Sequence, residues 1–598
     1  MDFVGEHSAH LLNVAVAGFS VPSNEVRVLF RRSLTLAVFA AALPHAAWCA
    51  QRSTRVSPAD ILIVHAKIYT VDEKKPWAQS LAIHKGRIVA VGSDEQVRRF
   101  RGIGTKMIDA GGKLVLPAFT DTHIHMADDG FSLARVNLQG AKDVVEIQNR
   151  LRVYASQHPD EKWILGQGWN YAMFAPETLP NKKALDQLFP AIPVFLECYD
   201  RHTFWANAKA LSLAGIGQST ANPPNGEIVR DPRTGEPTGA LKESAGDLVA
   251  HILPRPTYVE YLNAFRAAIK WANQNGIARV HSAGGDFEHL DVLEELRDEK
   301  QLSVRFHIAY KVEPPELHPQ DLDAIESARK RFHDDWIDVN SVNFFLDGVV
   351  ESHTAALLDP YTDMPATKGV LFWDPDKYQS AVRELDKRGL QLYSHAIGDS
   401  AVRTALDAYE SAEQRNHSKD HRNRIEHIQT ISAQDLPRFA RLNIIASMQP
   451  QRAYPDEDTR DVWARAIGPE RASRAWVWKS IAQYGAHYAF GSDWPVVTLN
   501  PWEGIQTAVT RQTVDGQPAG GFVPSQKLTV AQAIEGYTIE AAYSGHREKT
   551  EGSIEAGKVA DVIIVDRNVF EIATHTIHQT KVVFTIVGGK IVYETDQE

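Results

Sequence analysis

Short apolar runs alternate with helix-patterned stretches through the middle of this chain. Sustained over about 400 residues, that alternation is the strongest constraint on its fold. The run Gly389-Leu390-Gln391-Leu392-Tyr393-Ser394-His395 is followed by helical spacing from Ala401 to Ser411. The run Ala486 to Phe490 leads into Gly491-Ser492-Asp493. Such βα repeats predict an α/β fold, an elaborated (β/α)8 TIM barrel with parallel strands. In that architecture functional side chains stand at the C-terminal ends of strands. The polar residues singled out below end their apolar runs, as the rule requires.

Two β-patterned stretches bracket the alternation. Near the start are Asp60 to Val64, Lys67 to Val71, and a hairpin pattern of Ser80 to Ile83 and Ile88 to Gly92 about a glycine turn. Near the end are Val559 to Asp566 and a second hairpin, Val582 to Val587 with Lys590 to Tyr593. Their likeness predicts one small β-sandwich domain formed from both chain ends, residues 58–115 and 546–598, around a barrel of 116–545. Residues 138–250 fit the alternation poorly and are expected as an insertion over the barrel mouth.

Residues 1–50 read as an N-terminal extension and an export signal. Arg27, Arg31 and Arg32 precede the apolar run Ser33 to Leu43, and small residues follow at Ala46, Ala47 and Ala50. The run is short for a membrane span and is broken by Pro44 and His45. Cleavage, with a periplasmic or secreted product and no stable membrane insertion, is the expectation. It would leave Cys198 as the one thiol, since Cys49 is the only other cysteine. A net charge of −11 argues against nucleic acid or anionic lipid as the main partner. A small-molecule substrate is the expected partner, and a homodimer is compatible with the sequence.

Cysteine-based metal modules are excluded by that count, but 24 histidines supply other ligands. His123-Ile124-His125 ends the run from Leu116. Strand side chains alternate, so residues two apart face the same way and both imidazoles can converge on one cation. Asp121 shares their parity and is placed to contact an imidazole or its strand neighbours. His395 in Ser394-His395-Ala396-Ile397-Gly398-Asp399, His427 in Arg424-Ile425-Glu426-His427, and Asp493 in Gly491-Ser492-Asp493-Trp494-Pro495 each end a later run. Alone, each of these has a structural reading, as a buried hydrogen-bonding histidine or a turn aspartate. Their order at successive strand ends favours converging metal ligands with a base beside them.

These stretches, with Asp347-Gly348, Thr354-Ala355-Ala356-Leu357, Tyr537 to Ala542 and Gly552 to Asp561, resemble the amidohydrolase superfamily. Within it the match is to amidohydrolase family 3, the group of YtcJ-like proteins and N-substituted formamide deformylases, over residues 58–595. The resemblance implies that His123, His125 and Asp493 hold the more buried metal and that Asp493 is the general base. It implies that His395 and His427 hold a second metal, or one metal and the substrate oxygen, which gives His427 a catalytic role. A bound divalent ion lowers the pKa of water and polarises a carbonyl. Zinc suits these ligands best, with iron, manganese, cobalt and nickel as alternatives.

One departure matters. Where the family often carries a lysine that can bridge two metals as a carbamate, this chain has Asn343, in Ser341-Val342-Asn343-Phe344-Phe345. A neutral amide cannot replace an anionic bridge between repelling cations. One tightly held metal is therefore expected. Glu351 is a substitute bridge or a loop charge. His202 and Glu243, in the insertion, are candidate substrate contacts, with a salt bridge as the structural alternative for Glu243. Asn343 is placed to touch substrate, and Trp169, Phe174 and Trp205 are candidate walls or core.

The expected reaction is metal-dependent hydrolysis of a non-peptide carbon–nitrogen bond, in an N-substituted amide or formamide. A deaminase or cyclic-amide hydrolase, or an esterase or lactonase, would use the same site. A non-catalytic exported binding protein is the reading from a different class, and the intact Asp493 argues against it.

Overall fold

In the computed structural model, residues 57–175, 178–418 and 420–595 are described, and the export signal expected in residues 1–50 lies outside them. The apolar runs form eight parallel strands: β1 Phe119–Ile124, β2 Ile277–Ser282, β3 Arg305–Val312, β4 Ile337–Phe345, β5 Gln391–Ala396, β6 Arg424–His427, β7 Ile445–Met448 and β8 Tyr488–Phe490. They neighbour one another in chain order. Parallel strands need crossovers, and helices supply them. The helix Tyr258–Gln274 shows why the sequence folds this way. Thr257 and Glu260 form its capping box, and Leu262, Phe265, Ala268, Ile269 and Ala272 bury one face. Fully burying a side chain such as Phe265 contributes about 1.5–3 kcal/mol.

The seam of the barrel differs from its other joints. Among the described residues no ladder joins β8 to β1. Instead the Ser492 amide donates to Asp121 Oδ1 at 2.9 Å, and the Asp493 amide donates to the His123 carbonyl at 2.7 Å. Gly491 permits this approach, because a Cβ there would stand 2.4 Å from the His123 nitrogen.

Both chain ends build two mixed sheets. One has the order Arg87–Gly92, Ser80–His84, Ile61–Val64, Lys106–Asp109. The other has the order Lys590–Glu594, Val582–Val587, Val562–Val565, Leu114–Pro117, Lys67–Tyr69, Trp77–Ala78. Ile61, Ile63 and Ile83 from the first share an apolar core with Ile68, Val115, Val562 and Ile586 from the second. The chain passes from sheet to barrel at Ala118, between Pro117 and β1.

Between β1 and β2 the chain forms a further six-stranded mixed sheet. It runs Gly226–Arg230, Pro237–Glu243, Thr203–Ala206, Val194–Cys198, Ile164–Trp169, Val136–Asn137. Cys198 is buried there and joins no disulfide. No helix among the described residues is long and apolar enough to cross a membrane.

Candidate metal centre

Strand alternation places His123 on the inner face of β1, and the strand's end delivers His125 to the rim. Asp493 follows β8 with φ 59°, a backbone conformation uncommon for a residue with a side chain. It is held there by the hydrogen bond that its N–H donates to the His123 carbonyl. Its Oδ1 lies 3.5 Å from His123 Nε2 and 3.3 Å from His125 Nε2. The ligand atoms of these three residues lie within 4.8 Å of one another. Donors about 2.0–2.2 Å from one tetrahedral zinc ion stand about 3.3–3.6 Å apart, which the two Asp493 distances match.

The remaining contacts orient each ring. His123 Nδ1 is 2.7 Å from Glu426 Oε2, so it donates there and leaves Nε2 as the lone pair. His125 Nδ1 donates to the Gly284 carbonyl at 3.2 Å, and His427 Nδ1 to Gln449 Oε1 at 2.8 Å. The residues present thus fit a divalent cation. His395 Nε2 is buried with no hydrogen-bond partner and stands 3.7 Å from Asp347 Oδ1. Such an orphaned nitrogen suits a second ligand position or a substrate contact.

Electrostatics support the arrangement. Burial alone would raise the Asp493 carboxyl, but His123, His125 and His427 outweigh it and hold the group below the usual carboxylate range. Burial, then the neighbouring His123, pushes His427 down to about 4. Burial, then His427, pushes His395 well below the ordinary histidine value. Neutral imidazoles of this kind are ready ligands.

Two further residues carry the centre, and both sit in plain view in Arg424-Ile425-Glu426-His427. Arg424 and Glu426 share strand parity and point inward, and both are fully buried. Arg424 Nε donates to Glu426 Oε1 at 2.8 Å and its Nη1 lies 2.9 Å from His281 Nδ1. Burial would raise the Glu426 carboxyl, yet Arg424 and His123 lower it to about 2. Two charged residues inside one apolar run were the signal for this support. Asp121 bonds its strand neighbours, as one of its two sequence readings had it, accepting from the amides of His123 and Ser492.

His395 and His427 join the row. Ring centroids are 4.8 Å apart for His123 and His427 and 4.5 Å for His427 and His395. A cavity of about 750 Å³ opens over them. His123, His125, His395, His427 and Asp493 line it, as do His202 and Glu243 from the insertion.

The other expected contacts stand elsewhere. Asn343 is fully buried below the cavity floor, with Nδ2 donating to the Ala283 carbonyl at 2.6 Å. Phe345, two residues nearer the mouth on the same strand face, lines the cavity in its place and stacks on His395 at 4.7 Å. Glu351 is no bridge between metals in this arrangement. Its Oε1 accepts from Tyr199 and Arg452, each at 2.8 Å, and it does not line the cavity. Trp169 packs in the insertion's core against Phe174 and Trp205, with ring centroids 5.3 and 6.5 Å away. Phe204 faces the cavity because it alternates with Trp205 along one strand.

The parallel barrel and its histidine–aspartate cluster define a metal-dependent hydrolase. Residues 106–593 match the sequence model of the amidohydrolase family. The chain belongs to that family, whose hydrolases act on carbon–nitrogen bonds. It is 33% identical over 546 residues to the protein LONG AFTER FAR-RED 3 of Arabidopsis thaliana, covering 90% of this chain and 92% of the relative. It is 28% identical to the N-substituted formamide deformylase of Arthrobacter pascens, covering 90% and 98%. Among solved structures it is similar to an uncharacterised metal-dependent hydrolase of Pyrococcus horikoshii OT3. That match has 26% identity and a TM-score of 0.68, covering 86% of this chain and 99% of the other.

Proposed function

We propose that this hydrolase cleaves the carbon–nitrogen bond of an N-substituted amide or formamide, with one tightly held zinc ion. The observation that carries the proposal is Asp493, which shares a ligand-distance cluster with His123 and His125 and also lines the cavity. When bound there, a divalent ion supplies an acidified water and an electrophile for the carbonyl oxygen. Asp493 takes the proton as the water oxygen adds to the carbonyl carbon. It returns that proton to the nitrogen as the carbon–nitrogen bond breaks, giving an acid and an amine. His427, with Nδ1 committed to Gln449, presents Nε2 to the carbonyl oxygen, and His395 stands beside it. The deformylase of Arthrobacter pascens supports the formamide choice. The neutral, buried Asn343 supports the single ion, because it supplies no anionic bridge.

Protein reconstituted with zinc and screened on formamides, amides, lactams and esters is the test. Release of amine from an N-substituted formamide is expected. Asp493→Asn should lose at least about a thousandfold in kcat while keeping its fold, the upper half of the usual range for a general base because it also removes a ligand. Preference for esters, or activity surviving Asp493→Asn, overturns the reading. Metal analysis should find one equivalent per chain; two equivalents would sink the single-ion part alone.

A further inference from the structure

The row of imidazoles does not end at His395. His202, from the insertion, has its ring centroid 5.5 Å from that of His395. It therefore stands at the opposite end of the row from His125 and Asp493. Its Nδ1 is 2.7 Å from Glu243 Oε2. Glu243 Oε1 in turn accepts from the Thr354 hydroxyl at 2.6 Å, and Thr354 belongs to the loop that follows β4. The backbone fixes the pair as well. The Glu243 amide donates to the His202 carbonyl at 2.8 Å, and the His202 amide donates to Asp200 Oδ1 at 3.0 Å. Gly348 leaves room for the carboxylate, because a Cβ there would lie 2.3 Å from Glu243 Oε1.

This is more order than a wall residue needs. With Nδ1 committed to a carboxylate, Nε2 is the donor that His202 has left for a molecule in the cavity. Preorganised donors of this kind stabilise charge that develops on a substrate oxygen.

We propose that His202, clamped by Glu243 and through it by Thr354, donates from Nε2 to a substrate oxygen that carries or gains negative charge. The role rests on the hydrolytic reading of the same cavity. His202 is the group that touches substrate, and Glu243 is its positioning residue.

The test uses methylphosphonate, a stable tetrahedral oxyanion, and needs no turnover. Calorimetric titration of the zinc-loaded full chain should show binding. His202→Phe should weaken it by about tenfold to a hundredfold, the range for a charged hydrogen bond. His202→Gln, which keeps an uncharged donor, should fall between the two. Glu243→Gln should weaken binding without changing zinc content. A merely structural His202 would lower zinc content and thermal stability together and leave the affinity of the loaded fraction unchanged. Equal affinity in wild type and His202→Phe, or no binding by the wild type at millimolar methylphosphonate, overturns the proposal. Failure to hydrolyse any amide would sink the amide reading but leave the methylphosphonate comparison standing.

Discussion

Two histidine–carboxylate pairs of equal length serve this cavity from different regions. His123 and Glu426 meet at 2.7 Å inside the barrel, and His202 and Glu243 meet at 2.7 Å on the insertion. Their surroundings separate them. Glu426 is also gripped by Arg424, and burial of all three is nearly complete. Glu243 has a threonine hydroxyl as its other partner, and the side chains of its pair keep 13% and 8% exposure. An arginine makes the first pair a fixed electrostatic framework, in which burial lowers His123 but Asp493 and Glu426 outweigh it and raise it. The second pair has a hydroxyl where the first has that arginine. The same distance therefore produces a ligand in one region and a donor in the other.

Removing Glu426 should break the comparison most strongly. Glu426→Gln leaves Arg424 buried without its counter-charge, a loss of about 3–5 kcal/mol. It should also weaken zinc binding about tenfold to a hundredfold through His123. Denaturant unfolding and chelator competition measure the two effects. Intact zinc affinity would show that Glu426 does not orient His123.

Acid and alkali should separate the pairs in the metal-free protein. Glu426 titrates at about 2 in the fold against an ordinary 4.5, because Arg424 and His123 overcome burial. Its contribution is complete above 4.5 and is lost as pH falls through 2. His202 is raised from 6.5 to about 9, because Glu243 and Asp200 overcome burial. Its contribution is complete below 6.5 and is lost as pH rises through 9. Each arm has a slope of up to about 1.4 kcal/mol per pH unit. His202→Phe should flatten the alkaline arm alone when unfolding is followed across pH. An unchanged alkaline arm would mean that Glu243 does not hold the ring charged.

The smallest effect belongs to Glu243→Gln. With the cavity beside it and no arginine left behind, its cost should be about 1–2 kcal/mol in denaturant unfolding. A loss as large as that of Glu426→Gln would erase the distinction between the two regions.

Much of this was legible in the sequence, and the reasons are physical. The βα alternation gave the barrel because parallel strands demand crossovers. His123, His125, His395, His427 and Asp493 were legible because each ends an apolar run. Pairing across the barrel was not, since nothing local says that Glu426 reaches β1. His202 and Glu243 were visible singly, but their bond depends on how adjacent insertion strands register. Trp169, open to a wall or a core reading, belongs to the core, because a single strand does not reveal which of its faces meets solvent. Asn343 stands where the family often has its lysine, and it is buried below the cavity floor rather than at the mouth.

The seam has a consequence for the life of the chain. Asp121 and Ser492, which fasten it, are 371 residues apart. His123 leaves the ribosome early, while its partner Asp493 emerges only after every other strand of the barrel. The three-residue cluster exists only where the end of the last strand meets the first, so the site joins the two extremes of the barrel in sequence. An ion held there clasps the first strand to the end of the last, and its loss would loosen the ring where no ladder reinforces it.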